Sequence, residues 1–214
     1  MHARPLAMCC LLYVSIASGG SEIDVGKNVV VYLKPADGLS AAALEQTKNE
    51  LVFVMRGIGT RIVWWDAEKS QSGTTETLIV ADFTGTCSVP SSASATFDIS
   101  SLPPLAHASI ADGHILPFAY VDCAALGQFV GPVLARQPKG RHELLYGRAV
   151  GRLLAHEIYH ILAQTPDHAA AGIAKEHFST TDLLAARFQF ETAAMAHLLE
   201  MPISLRLART PSGL

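Results

Sequence analysis

Charge is scarce in this chain. Only 16% of its 214 residues are Asp, Glu, Lys or Arg, and the formal net charge is −3. This balance provides no electrostatic attraction to nucleic acid or to an anionic membrane, so we expect neither as a partner. Internal repeats and a second domain boundary are lacking as well. Half of the residues are hydrophobic, which excludes disorder for most of the chain and predicts one well-packed domain.

Long apolar runs are also missing, since none after the first twenty residues has the length to cross a bilayer. The run Leu6–Ala17 follows one positive charge and precedes small residues, which is the pattern of an export signal. We therefore predict a signal peptide over 1–20, a single domain over 21–214 and a secreted or periplasmic location. A lipoprotein signal at Cys9 is the alternative, although only three apolar residues precede that cysteine.

Cysteine is rare too, with four residues, two of them inside the predicted signal. The other two, Cys87 and Cys123, are 36 positions apart. In an exported protein such a pair predicts one disulfide, worth roughly 3–4 kcal/mol by the loop-entropy model. Two buried free thiols are the alternative. Neither cysteine has the close neighbour found in zinc knuckles, so we do not expect them to bind metal.

The apolar and β-branched runs predict four strands, at 28–33, 61–66, 76–84 and 115–122. A helix capped by Ser40 lies between the first two, which predicts a mixed α/β layer with a right-handed crossover. Residues 86–114 are interpreted as a long loop. Pro117 predicts an edge position for the fourth strand, because proline has no N–H for a neighbour. An exposed edge over 118–122 can pair with an extended peptide.

Two further helices are predicted in the second half of the chain. Apolar residues at helical spacing run from about 141 to 164, where Pro166 ends the helix. Ser179 with Asp182 forms a capping box that begins the last helix. The predicted fold class is α+β, with a twisted mixed sheet, an edge strand over the long helix and a C-terminal helix.

The stretch HEIYHILAQTPDH, residues 156–168, combines three histidines with a charged residue in an otherwise apolar run. His156 and His160 lie on one face of the predicted helix, so both imidazoles can reach one metal ion. Glu157 adjoins the first histidine and can reach a water on the metal. A catalytic zinc has three protein ligands and one open position, and His168 lies just past the helix end. These residues predict a zinc site.

Other interpretations of the stretch stay open. HExxH fixes only three positions and occurs by chance on ordinary helices. A charge such as Glu157 within the apolar run LLAHEIYHILA is costly without a partner, which favours a functional site. His177 is the nearest rival for the third ligand. Glu176 or Glu191 would instead give an arrangement with a glutamate as the third ligand.

The segment from Arg152 to about Leu184 resembles the metzincin clan of zinc metallopeptidases, specifically its small exported bacterial members. In that clan a third histidine follows HExxH, and a tight turn places a methionine beneath the metal. The small bacterial members have the third histidine eight positions after the second, and then Gly-Ile-Met. Here His168 follows His160 by eight positions, and Gly172-Ile173-Ala174 comes next.

The resemblance implies a zincin-like catalytic domain over 21–214 that binds Zn²⁺ through His156, His160 and His168. The implied function is that of a secreted zinc-dependent metalloendopeptidase, in which Glu157 is the general base for a water that attacks the peptide bond. The partner is then a protein or peptide substrate, and we expect a monomer.

Two features depart from the clan pattern. Seven residues without glycine, 161–167, separate the second and third histidines, where the common pattern has five including a glycine. Ala174 stands in place of the methionine, which leaves a smaller apolar floor beneath the metal and removes no ligand. A catalytically inactive, secreted binding module with this fold is therefore the alternative function. A structural zinc with Asp167 or His177 as a fourth ligand is a further one.

Overall fold

The computed structural model describes residues 28–65, 77–88 and 102–200, so the predicted signal peptide lies outside the described part. The strands are β1 (Asn28–Leu33), β2 (Arg61–Trp64), β3 (Thr77–Thr84), β4 (Ala106–Ala111) and β5 (His114–Asp122). The helices are α1 (Ala41–Arg56), α2 (Cys123–Leu134), α3 (His142–Ala163), α4 (Thr180–Leu184) and α5 (Thr192–Glu200). None of these helices combines the length and the apolar character that a membrane crossing requires. The predicted α+β class is confirmed.

The five described strands form one sheet with the order β2-β1-β3-β5-β4, in which only β4 is antiparallel to its neighbour. Successive side chains point to opposite faces of a strand, so each strand contributes one inward set. On that inner face Val31, Ile79, Ala119 and Val121 are at most 1% exposed. They belong to one core cluster with the apolar side chains of α1 and α3. The sheet therefore packs against the helix that carries the predicted metal ligands.

The predicted edge position of strand 115–122 is wrong. β5 has a partner on each side, β3 in parallel and β4 in antiparallel register, and β4 is the edge of the described sheet. Pro117 lies where the β4–β5 register shifts, between the pair Ala108–Ala119 and the start of the strand near Ile115. Its missing N–H falls inside this bulge, where the ladder is already interrupted.

β4 itself lies within 86–114, which the sequence predicts as a loop. Its sequence AHASIA contains a single β-branched residue, so its own strand propensity is weak. Asp112 and Gly113 connect it to β5, with φ angles of 51° and 76°. Two left-handed residues in succession match the tight hairpin turn whose twist suits paired strands. Pairing with β5 across this turn therefore stabilises β4 as a strand.

A helix that was not predicted, α2, begins directly after β5. Its N-cap is Asp122, whose carboxylate accepts a hydrogen bond of 2.8 Å from the Ala125 N–H. Cys123 at the start of α2 is bonded to Cys87 just after β3, which confirms the predicted disulfide. Both cysteines are buried. The bond ties two neighbouring strand ends together on the side where α2 begins.

α3 is held against α1 by close backbone contact. A Cβ atom at Gly147 would lie 2.3 Å from the Ala43 carbonyl oxygen, and one at Gly151 would lie 2.8 Å from that of Thr47. The Thr47 hydroxyl donates to the Gly147 carbonyl at 3.1 Å. One turn further along, the buried Arg152 Nε donates to Glu50 Oε1 of α1 at 2.7 Å. These contacts fix the face of α3 that packs against α1.

The C-terminal segment is anchored on α3 by two arginines. The capping box predicted at Ser179 and Asp182 is confirmed, but α4 ends at Leu184 and α5 is a separate helix. Arg148 donates to the Leu184 carbonyl at 3.0 Å, and Arg152 donates to that of Ala185 at 2.8 Å. The carbonyl end of α4 is thus tied to the same helix that carries HExxH.

Candidate metal centre

Three histidines converge at the C-terminal end of α3. One ring nitrogen each from His156, His160 and His168 lies within 4.8 Å of the others. The first two are buried on successive turns of the helix, whereas His168 lies on the exposed loop that follows it. The His168 ring stacks on that of His156 at 5.3 Å and meets that of His160 edge-on at 4.7 Å. The structure brings together the three residues that the sequence predicts as ligands.

Backbone carbonyls orient the two helical histidines. His156 Nδ1 lies 2.7 Å from the Ile173 carbonyl oxygen, and His160 Nδ1 lies 2.7 Å from that of Thr165. A carbonyl oxygen only accepts, so each Nδ1 carries the proton and each Nε2 keeps a free lone pair. This is the outer contact that fixes the tautomer of metal-binding histidines.

The distance between the two Nε2 atoms shows whether a metal ion fits between them. His156 Nε2 and His160 Nε2 are 3.1 Å apart. With both protons on Nδ1 these nitrogens cannot hydrogen-bond each other, and their lone pairs face one another. Two imidazole nitrogens bound to one tetrahedral zinc at about 2.05 Å lie about 3.3 Å apart. The pair therefore fits a shared cation, and the three imidazoles can hold a metal ion.

The histidines also have the protonation state that metal binding needs. Burial lowers the pKa of His156 to about 4, although the Ile173 carbonyl opposes this shift. Burial likewise lowers the pKa of His160, against the effect of the Thr165 carbonyl. Both rings are therefore neutral at pH 7, which is the form of imidazole that binds a metal.

Rivals for the third ligand lie outside the cluster. His177 has a side chain that is 86% exposed, and its nearest charged neighbour is Glu176 at 3.8 Å. Neither residue, nor Asp167 or Glu191, is among the side chains whose ligand atoms converge in the described part of the chain. Both His177 and Glu176 line a cavity that opens beside the three histidines.

Glu157 is buried beside the first histidine, with 4% of its surface exposed. Burial raises the pKa of Glu157 to about 8, and a hydrogen bond from the backbone of Ala108 opposes this shift. A metal cation held by the three histidines would oppose this shift, because a nearby positive charge favours the ionised carboxylate. The contact with Ala108 links this carboxylate to the edge strand β4.

The Gly172-Ile173-Ala174 turn lies against the helix. Gly172 has a φ of 72°, and a Cβ there would be 2.6 Å from the Gln189 carbonyl oxygen. The Ile173 N–H donates to the Gln189 carbonyl at 3.0 Å. This bond orients the peptide so that the Ile173 carbonyl faces His156. Ala174 is completely buried. Phe178, just before α4, places its ring edge-on to His156 at 5.2 Å.

A cavity of about 820 Å³ opens beside the histidines. One side is the strand β4 with the segment 102–105 that precedes it, and the other is α3. Its walls are mainly apolar and include Leu105, Phe129 and Leu153. Sequence reasoning missed this wall, because Phe129 belongs to α2 and residues 102–105 belong to the segment interpreted as a loop. The three histidines and Glu157 thus line a largely apolar cleft along β4, the edge strand of the described sheet.

Comparisons with protein-family models, curated proteins and solved structures find nothing that matches this chain. The family resemblance therefore rests on the residues between Arg152 and Leu184. The structure itself shows a mixed α/β protein with three histidines that can hold a metal ion.

Proposed function

We propose that this protein is a secreted zinc-dependent metalloendopeptidase of the metzincin type. The observation that carries the proposal is the convergence of three histidines beside Glu157 on a cleft bounded by β4, the edge strand of the described sheet. Three protein ligands leave one coordination position for water, which is the arrangement of a catalytic zinc. In the described part of the chain no fourth acidic, histidine or cysteine side chain joins the cluster, which favours catalysis over a structural zinc.

In this mechanism Glu157 moves the proton. When bound, zinc supplies Lewis-acid chemistry, because it acidifies a water and polarises the carbonyl that the water attacks. Glu157 accepts the proton from the attacking water and donates it to the leaving amine. The backbone of Ala108 favours the ionised carboxylate, and the carbonyls of Ile173 and Thr165 orient both helical imidazoles.

The substrate lies along β4 in this proposal. The edge predicted over 118–122 is covered by β4, whose own outer side has no partner strand in the described sheet. An extended peptide can add to such an edge through its backbone hydrogen bonds. The apolar wall at Phe129 and Leu153 then favours an apolar side chain next to the scissile bond.

The disulfide supports the location. Cys87 and Cys123 form a bond that persists in oxidising compartments and is rare in the cytosol. This supports export of the chain, after which the proposed enzyme would meet extracellular or periplasmic proteins as substrates.

The test is cleavage of a mixed peptide library by the zinc-loaded protein, read by mass spectrometry. Glu157→Ala is expected to bind zinc normally and to lose about 10²–10⁴-fold in rate, which is the usual contribution of a general base. Glu45→Ala, an exposed carboxylate on α1, is the matched control and keeps full activity. Cleavage by Glu157→Ala at the rate of the unaltered protein would refute the assignment.

An inactive binding module is the second candidate, and Ala174 is the observation that favours it. A library in which the zinc-loaded protein cleaves nothing would support this candidate. Restoring methionine at position 174 would not be a neutral repair, because Ala174 is completely buried. Adding three heavy atoms to such a site typically costs 1–3 kcal/mol, on the order of any gain beneath the metal.

A further inference from the structure

The residue that ends α3 has an unusual backbone. Gln164 lies in the left-handed region with φ 48° and ψ 39°. In the described part of the chain only one other non-glycine residue, Asp112, has a positive φ. Glycine is the usual residue at this place in a helix terminus, because it has no Cβ to clash there. Something must therefore hold Gln164 in this conformation.

The side chain of Gln164 provides the restraint. Its Nε2 donates to the Ile115 carbonyl at 2.8 Å and to the Ile161 carbonyl at 2.8 Å. Ile161 is in the last turn of α3, so the second bond satisfies a carbonyl that the helix leaves free. Ile115 is at the start of β5 and borders the cavity. The amide group thus links the end of the metal-binding helix to the sheet across the cleft.

The left-handed turn at Gln164 sends the chain back toward the histidines. The next residue, Thr165, directs its carbonyl to His160 Nδ1 at 2.7 Å. His168 follows three residues later and brings its ring to His160. One backbone reversal therefore sets both the orientation of the second ligand and the place of the third.

We propose that Gln164 is a positioning residue of the metal site: its amide tether to Ile115 holds the left-handed turn that orients His160 and delivers His168. The role concerns the metal-binding geometry and rests on the proposed function only in that a metal occupies the three histidines. It compensates for the missing glycine between the second and third histidines. The tether also connects the loop to the β4–β5 hairpin, so it sets the distance between the metal ligands and the strand edge.

Two variants separate the tether from the backbone. Gln164→Met keeps the length of the side chain and the left-handed strain but removes both hydrogen bonds. Gln164→Gly removes the bonds and the strain together. Gln128→Met on the exposed face of α2 is the matched control. Zinc affinity is measured by competition with a chromophoric chelator, and the imidazole tautomers of the metal-free proteins by ¹H–¹⁵N NMR.

Gln164→Met is expected to bind zinc about tenfold more weakly, the lower end of what loss of an outer contact to a metal ligand costs. Gln164→Gly is expected to lie between this variant and the unaltered protein, because glycine adopts the turn without strain but also leaves it freely. In both variants the Nδ1–H form of His160 loses population while that of His156 is kept. Zinc affinity equal to that of the unaltered protein in either folded variant overturns the proposal.

The readouts distinguish this role from the proposed activity. A tenfold loss of zinc affinity in Gln164→Met, in a protein whose unaltered form cleaves no peptide, would refute the peptidase and support the tether. If the unaltered protein bound no zinc, the tautomer of His160 in the metal-free variants would still decide. An unchanged Nδ1–H population at His160 would then overturn the role of Gln164.

Discussion

Replacing Gly147 with alanine tests how closely α1 and α3 must approach. The added Cβ would lie 2.3 Å from the Ala43 carbonyl oxygen, 3.0 Å from its carbonyl carbon and 3.0 Å from Gln46 Cβ. Two of these atoms are backbone, so a rotamer change cannot relieve the contact and the helices must move apart. Alanine favours the helix by about 1 kcal/mol over glycine. Overpacking a tight interface costs about 1–3 kcal/mol. Moving the Gly147 carbonyl away from the Thr47 hydroxyl costs about 1 kcal/mol more.

The balance predicts that Gly147→Ala lowers the free energy of unfolding by about 2 kcal/mol. For a domain of this size that is a fall of roughly 4–8 °C in Tm. Differential scanning calorimetry measures it, with Gly140→Ala as the control, because a Cβ at Gly140 meets nothing within 4 Å. An unchanged or higher Tm for Gly147→Ala would show that helix propensity outweighs packing and that the two helices are not in the close contact described.

Three other predictions follow from the same structure. Opening the disulfide with Cys123→Ser removes a cross-link over 36 positions and should lower the free energy of unfolding by about 4 kcal/mol in urea titrations. Burial raises the pKa of Asp182, but its hydrogen bonds to Lys175 and to the helix cap prevail and lower it below 3.8. Its stabilising effect is therefore complete above pH 3.8 and lost as pH falls through the lowered value, so Asp182→Asn should destabilise at pH 7 and match the unaltered protein in strong acid. His168→Ala should weaken zinc binding at least tenfold in a chelator competition, whereas His177→Ala should leave it unchanged, and equal losses would contradict the choice of third ligand.

The helical part of the site could be predicted from the sequence, because ligand spacing on a helix is a local property. His156 and His160 are one turn apart whatever surrounds them, and the capping box at Ser179 is equally local. His168 could be proposed as the third ligand because it lies just past the helix end, although the sequence left His177 as a rival. Nothing local identified Gln164, because the strain of its backbone is offset by a carbonyl 49 positions away.

The errors came from elements whose stability is tertiary. Pro117 was taken as a mark of an edge strand, but a bulge accommodates it inside the sheet. β4 contains a single β-branched residue, and the Asp112-Gly113 pair was the signal that could have revealed its hairpin. α2 contains two glycines and Pro132, so its propensity is poor and its burial stabilises it. These two missed elements line the cleft, which is why its shape could not be predicted.

The register shift between β4 and β5 also bears on self-association. An unpaired strand edge is a template for pairing with a second copy of the same chain, and long flat edges lead to aggregation. Here the regular pairing is interrupted between Ala108 and Ile110, and the whole strand is only six residues long. A short edge with interrupted pairing offers a few backbone hydrogen bonds to an extended peptide but no continuous surface for a growing sheet. The short length of β4 and its interrupted pairing thus favour a cleft that stays accessible to substrate over one that pairs with a second copy of the chain.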